Sequence, residues 1–335
     1  MASNPLIHLT GPLLMGSLLS FFLNGTFVLQ IYHYYMNYSS TDRRAFIFLV
    51  GFVVLIEILH TVMSTHNTYQ ILAEGFGNPE VFQQTPFSGG TLPALNGLGG
   101  LCTQLFFAWR ISVLSKSILG KLTSALVVMG AFAQCAAAIG VTIQYSLLAQ
   151  DLSLINTLQR TVIAWLGGSF ACDMLISLAM VVILLRTREA TAFGGSRNML
   201  NALIVHTIEN GAITTACAAA MLITYLGIKQ ANLYYACFEY ILGRLYASVL
   251  LATLNGRKRM RRAATSEIEL SLERSNHTAG KLSTSALQLR SNSGRNDYNA
   301  GHQDSKLYPV AMSVSSTTVQ MQHAEESKAP HMVSY

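Results

Sequence analysis

The chain has 335 residues, of which 51% are hydrophobic and only 11% charged. Soluble domains carry roughly 25% charged residues, so this composition excludes an ordinary soluble fold and points to a multi-pass membrane protein. The net charge of +6 comes from basic residues that flank apolar runs and do not alternate with aromatics on a polar face, which argues against a nucleic-acid partner.

The first ten residues, MASNPLIHLT, contain no Lys or Arg, so a cleavable signal peptide is not expected and the first helix reads as an uncleaved anchor after a short external segment, residues 1–10. Seven apolar windows follow: Gly11 to Tyr34, Ala45 to Ile71, Thr91 to Ser115, Leu122 to Leu148, Thr161 to Leu185, Met199 to Leu226 and Ala231 to Leu254. Each is long enough, as a helix, to cross a hydrocarbon core of about 30 Å. They predict an all-α integral membrane fold, a seven-transmembrane helix bundle over residues 11–258. The fourth window is rich in small residues, and Ala133 with Ala137 and Ala136 with Gly140 have the spacing of a close helix contact. All five cysteines fall inside apolar runs, which favours buried packing over a structural disulfide.

The connecting segments set the expected orientation. Twelve basic residues lie in the first, third and fifth connections and at the start of the tail, against two, Arg160 and Lys229, in the alternate ones. The positive-inside rule then places the N-terminus outside and the C-terminus in the cytoplasm, in the plasma membrane or an endomembrane. The sequons at Asn24, Asn37 and Asn276 fall in a span, a cytoplasmic loop and the tail, where glycosylation is not expected. The longest external segment, Leu72 to Gly90, mixes three phenylalanines with Pro and Gly and suits either a pocket cap or a loop resting on headgroups.

After the last window comes the basic run Arg257, Lys258, Arg259, Arg261 and Arg262, which suits anionic inner-leaflet lipid headgroups or serves as a plain stop-transfer signal. Residues 259–335 read as a disordered Ser/Thr-rich cytoplasmic tail, available to a cytoplasmic protein partner, because 18 of the last 73 residues are Ser or Thr and no window can bury a core. Ser266 and Glu269 have capping-box spacing for one short helix on the inner leaflet.

Charge inside the windows carries the functional expectation. Arg244 sits near the centre of the seventh window, where an ionisable group demands an anionic partner and a polar bundle interior. Glu239 lies five residues earlier, about 140° around the helix, so the partner is expected on another helix. Rise along each helix puts Glu57, Asp173 and Glu209 near the same depth as Arg244, with His60 and His206 each sharing a face with its neighbouring carboxylate. Three acids against one permanent cation suit either an interhelical packing network or a ligand, proton or cation site. The His206-x-x-Glu209 order is the reverse of that in di-iron bundles, and no metal or cofactor is expected. No phosphate loop, nucleophile elbow or HExxH run is present, and the seventh window has no lysine for a Schiff base, so enzymatic activity is the less favoured reading. Asn96 to Gly100 and Gly167-Gly168 suit either close packing or the broken helices of a transporter.

Four segments carry a resemblance: Gly11-Pro-Leu-Leu-Met-Gly16, Gln104 to Ser115, Asp173 in its window, and Tyr246 to Asn255 followed by Gly256-Arg257-Lys258. Over roughly Gly11 to Lys258 the chain resembles a family of basidiomycete fungal membrane proteins defined by domain of unknown function 6534. That resemblance implies a seven-helix membrane fold and brings no activity with it. The arrangement also looks like a G-protein-coupled receptor, with Arg110 at the cytoplasmic end of the third helix. It departs from that pattern in having Trp109 before the arginine, no cysteine pair to an external loop and no Asn-Pro-x-x-Tyr in the seventh helix. The expected function is receptor-like or sensory, with a small-molecule ligand among Glu57, His60, Asp173, His206, Glu209, Glu239 and Arg244, and with Arg110 and Asn255 coupling to the cytoplasm. A small-solute or proton-coupled transporter and a ligand-free scaffold are the alternatives.

Overall fold

The computed structural model describes residues 7–38, 42–76, 87–115, 117–148, 155–190, 194–227, 233–257 and Thr265. Every regular element among them is helical. In chain order they are α1 (Ile7–Tyr38), α2 (Arg44–Tyr69) continued by one π-helical turn (Gln70–Glu74), α3 (Phe87–Leu114), α4 (Ile118–Leu148), α5 (Ile155–Ala190), α6 (Gly194–Gly227) and α7 (Tyr234–Arg257). All seven are long and apolar enough to cross a membrane, and the chain is a multi-pass membrane protein. They fall within one compact unit, Met1–Glu273. The tail with Lys258, Arg259, Arg261 and Arg262, the Ser266 to Glu269 pattern, Asn276, and positions 77–86 of the external segment lie outside the described residues.

Helix α7 is the axis of the bundle. Two thirds of its apolar window (67%) is buried, against 22% for α6, which lies at the periphery. The outward faces of α1, α2 and α4 carry large apolar side chains such as Phe22, Phe48 and Ile118, as expected of surfaces solvated by lipid. Inward, α3 packs against α2, α4 and α5, and two of its polar side chains reach α7 backbone: Asn96 Nδ2 donates to the Glu239 carbonyl at 3.0 Å and Thr103 Oγ1 to the Tyr246 carbonyl at 3.3 Å.

Small residues set these approaches. A Cβ on Gly97 would come within 2.6 Å of the Ala138 Cβ on α4, and one on Gly16 within 2.8 Å of the Cys237 Cα on α7. The close face of α4 is therefore Ala131, Cys135 and Ala138, all buried, while Ala133 and Ala136 are exposed. The four-residue spacing expected from the sequence picked the wrong stripe of an all-apolar helix. All five cysteines are free thiols.

Proline explains one join. Pro12 has no N–H to give the carbonyl of His8 four residues back, and the Leu233 N–H donates to that carbonyl instead at 3.3 Å. The start of α1 is thereby tied to the start of α7.

Candidate functional site

The acids that the sequence groups in one layer separate into distinct environments. The Arg244 guanidinium on α7 ion-pairs with the Glu57 carboxylate on α2, and both side chains are nearly inaccessible, at 1% and 3%. Arg244 also donates to the Glu57 carbonyl at 3.0 Å, to Thr61 Oγ1 at 2.8 Å and to Ser20 Oγ on α1 at 3.2 Å. Its charge is neutralised and its donors are directed at α1 and α2, which is the arrangement a cation at this depth requires. His60 is buried one turn further along α2, and among the described residues neither ring nitrogen has a hydrogen-bond partner.

Asp173 on α5 is buried in a network of neutral groups. Gln104 Nε2 donates to Oδ1 at 3.2 Å, and the Tyr246 hydroxyl donates to Oδ2 at 2.8 Å. Gln134 in turn donates to Gln104 Oε1 at 2.7 Å, and Ser169 lies 2.8 Å from the Tyr246 oxygen. This chain of side chains links α3, α4, α5 and α7. The adjoining cavity, of about 30 Å³, is large enough for only one or two waters.

Glu239 is different. Its side chain is 7% exposed, it forms no ion pair or side-chain hydrogen bond among the described residues, and it lines a cavity of about 180 Å³. The cavity lies at the end of the bundle that carries the N-terminus, where the last turns of α2, α4 and α6 meet the first turns of α1, α3, α5 and α7. Its aromatic lining is Tyr145, Trp165, Tyr225, Tyr235 and Tyr240, and among the described residues no Lys, Arg or His contributes to it. The Tyr240 oxygen accepts from Asn67 Nδ2 at 2.7 Å and from Thr68 Oγ1 at 3.3 Å, which fixes that ring. Tyr225 and Tyr235 meet edge-on with centroids 5.6 Å apart.

At the opposite end Arg257 closes α7 onto the turn between α1 and α2. Its Nη1 and Nη2 lie 2.9 and 2.5 Å from Asp42 Oδ1 and Oδ2, and its guanidinium lies 5.1 Å from the Tyr38 ring centroid. Tyr34 donates to Asp42 at 3.0 Å. Burial pushes the Asp42 carboxyl up, but the hydrogen bonds from Arg257 and Tyr34, with the Arg257 charge, outweigh it and hold the group below its ordinary value. Asn255 donates to the Gln30 carbonyl at 2.9 Å and accepts from the Tyr38 hydroxyl at 2.8 Å. Arg110 is half-buried in a neighbouring groove of about 200 Å³ with Trp109, Phe106 and Arg257.

Of the sequence candidates, Glu57 and Arg244 come together, Glu239 and Asp173 occupy separate pockets, and Glu209 is exposed on α6, facing out of the bundle. The His206 side chain lies outside the described set. Sequence reasoning missed Asp42, Gln104, Tyr246 and the cavity aromatics. The available signal was a series of polar-tipped residues inside otherwise apolar windows, Tyr145, Tyr225, Tyr235 and Tyr240 among them.

Fold and site together define a seven-helix, multi-pass membrane protein with two internally satisfied buried acids and a third that opens on a cavity. Residues 169–259, from Ser169 in α5 through the end of α7, match a family model described as a family of unknown function (DUF6534). The matched stretch contains Asp173, Glu239, Arg244 and Tyr246. No curated protein and no solved structure matches the chain.

Proposed function

We propose that the chain is a receptor-like or sensory membrane protein that takes a small ligand in the Glu239 cavity and passes the event along α7. The observation that carries this reading is a buried carboxylate, without a side-chain partner, on the wall of a cavity of about 180 Å³. Cavities of about 150 Å³ already admit a benzene-sized molecule. The excess of basic residues in the first, third and fifth connections and at the start of the tail supports an outward-facing cavity and a cytoplasmic C-terminus. The same helix carries Glu239 at the cavity, Arg244 and Tyr246 in the two polar clusters, and Asn255 and Arg257 at the far end. Its far end and the groove at Arg110 are the surface for a cytoplasmic partner, and the basic run beyond it suits anionic inner-leaflet lipids.

The test uses the full chain in proteoliposomes. A set of fragment-sized molecules is screened by emission of Trp165 in a Trp109→Phe background, and hits are repeated with Ala236→Phe added, which fills the cavity without a second emitter. The receptor reading expects hits that Ala236→Phe abolishes, and no net flux of protons or of the hit. Flux above that of empty liposomes, lost in the Asp173→Asn, Glu209→Gln double variant, would make the protein a transporter instead. Absence of any response at Trp165 would leave a scaffold.

A further inference from the structure

The buried charges of the bundle do not balance in the same way. Glu57 faces Arg244, and at the bundle end Asp42 faces Arg257. Asp173 has no cation but receives hydrogen bonds from Gln104 and Tyr246, which spread its charge over neutral donors. Glu239 has neither. A carboxylate removed from water without a counter-charge or donors is the costliest arrangement a bundle interior can hold, and it is relieved by a positive group brought into the cavity.

The rest of the wall suits such a group. The rings of Tyr145, Trp165, Tyr225, Tyr235 and Tyr240 offer π faces and edges, and aromatic faces attract a desolvated organic cation. Tyr145, Tyr235 and Tyr240 lie within electrostatic reach of Glu239, so the acid and the rings act on the same space. Trp165 is 3% exposed and Tyr240 is held by Asn67 and Thr68, so these rings are set before a ligand arrives.

The same features select against other ligands. An anion would meet Glu239 with no basic residue among the described lining residues to receive it. A neutral molecule could offer hydrogen bonds at most and would supply no counter-charge. A bare metal ion needs several oxygen or nitrogen ligands, and no group of three His, Cys, Asp or Glu that could hold one occurs among the described residues.

We propose that the Glu239 cavity binds a small organic monocation, an amine or quaternary ammonium, with the Glu239 carboxylate as counter-ion and the tyrosine and tryptophan rings as its cage. This deepens the reading of the cavity as a ligand site and rests on it.

The experiment compares two pairs of probes matched in size and differing in charge: choline with 3,3-dimethyl-1-butanol, and n-butylammonium with 1-butanol. Binding to the full chain in lipid nanodiscs is read from Trp165 in the Trp109→Phe background, with sodium chloride as the ionic control. In at least one pair the cation is expected to bind about tenfold or more tightly than its neutral partner, a difference of about 1.4 kcal/mol. Glu239→Gln should erase that preference and Glu239→Asp should retain it. Should Glu239→Gln fail to fold, Tyr145→Leu provides the second readout, weakening the cation more than the neutral probe. Equal or tighter binding of the neutral member in both pairs overturns the cation assignment and leaves the cavity as a ligand site. No binding by any of the four overturns both.

Discussion

At the scale of single residues, Arg244 shows how one buried charge fixes its surroundings. Its insertion into a span is unfavourable on its own, and the chain answers with a carboxylate, a carbonyl and two hydroxyls drawn from α1 and α2. The need for an anionic partner on another helix follows from the sequence alone. The choice of Glu57 over Asp173 and Glu209 does not, because depth along a helix is readable from rise while the direction a side chain faces depends on how the helix is rotated in the bundle. Glu209 has a suitable depth and the wrong face. Glu239 is the converse case. Five residues from Arg244, it appears in the sequence as a failed partner, and the structure makes it a buried acid that opens on a cavity. Removing one member of the central pair strands the other. Arg244→Leu is therefore expected to lower stability by about 3 to 5 kcal/mol, and the double variant with Glu57→Leu to recover much of that loss. Unfolding in detergent micelles measures both. A double variant no more stable than the single one would contradict the pairing.

At the scale of elements, the existence of all seven helices is legible in apolar windows, and what the windows miss is how the helices are joined. Low charge over some 20 residues is enough to define a span. It says nothing of the Pro12-freed carbonyl that accepts from Leu233, or of which small residues of α4 meet Gly97. In an apolar helix every face looks packable, so periodicity gives no preference. The clamp between Arg257 and Asp42 is likewise hidden, because a lone aspartate in a connection reads as solvated and the arginine as one of five headgroup contacts. With Arg257 35% exposed, the clamp contributes only about 1 kcal/mol. Its pH dependence has a definite sign. A carboxyl held below its ordinary value stabilises the fold fully above that value, about 4, and the stabilisation is lost as pH falls through the folded value. The stability gap between wild type and Asp42→Asn should be constant from pH 8 to 5 and narrow as pH falls below about 4. A gap that does not narrow on acidification would show that the Asp42 charge is not what binds α7 to the α1–α2 turn.

At the scale of the whole molecule, the cavity and the Arg110 groove lie at opposite ends of a bundle whose most buried helix spans both. A receptor requires that occupation of one end bias the other, and a shared helix alone does not establish this. The chain has two tryptophans, and the structure puts one at each end: Trp165 in the cavity wall, and Trp109 in the groove with Arg110 and Arg257. Each single Trp→Phe variant thus leaves one reporter. The most direct measurement is a titration of the Trp165→Phe protein in nanodiscs, following Trp109 emission, with whichever of choline or n-butylammonium binds the cavity. The account predicts a Trp109 change with the same midpoint as the Trp165 change in the companion variant, absent in Glu239→Gln. A saturated cavity with Trp109 unmoved would contradict it: the site would bind its ligand without any effect at the far end, and the receptor reading would fall.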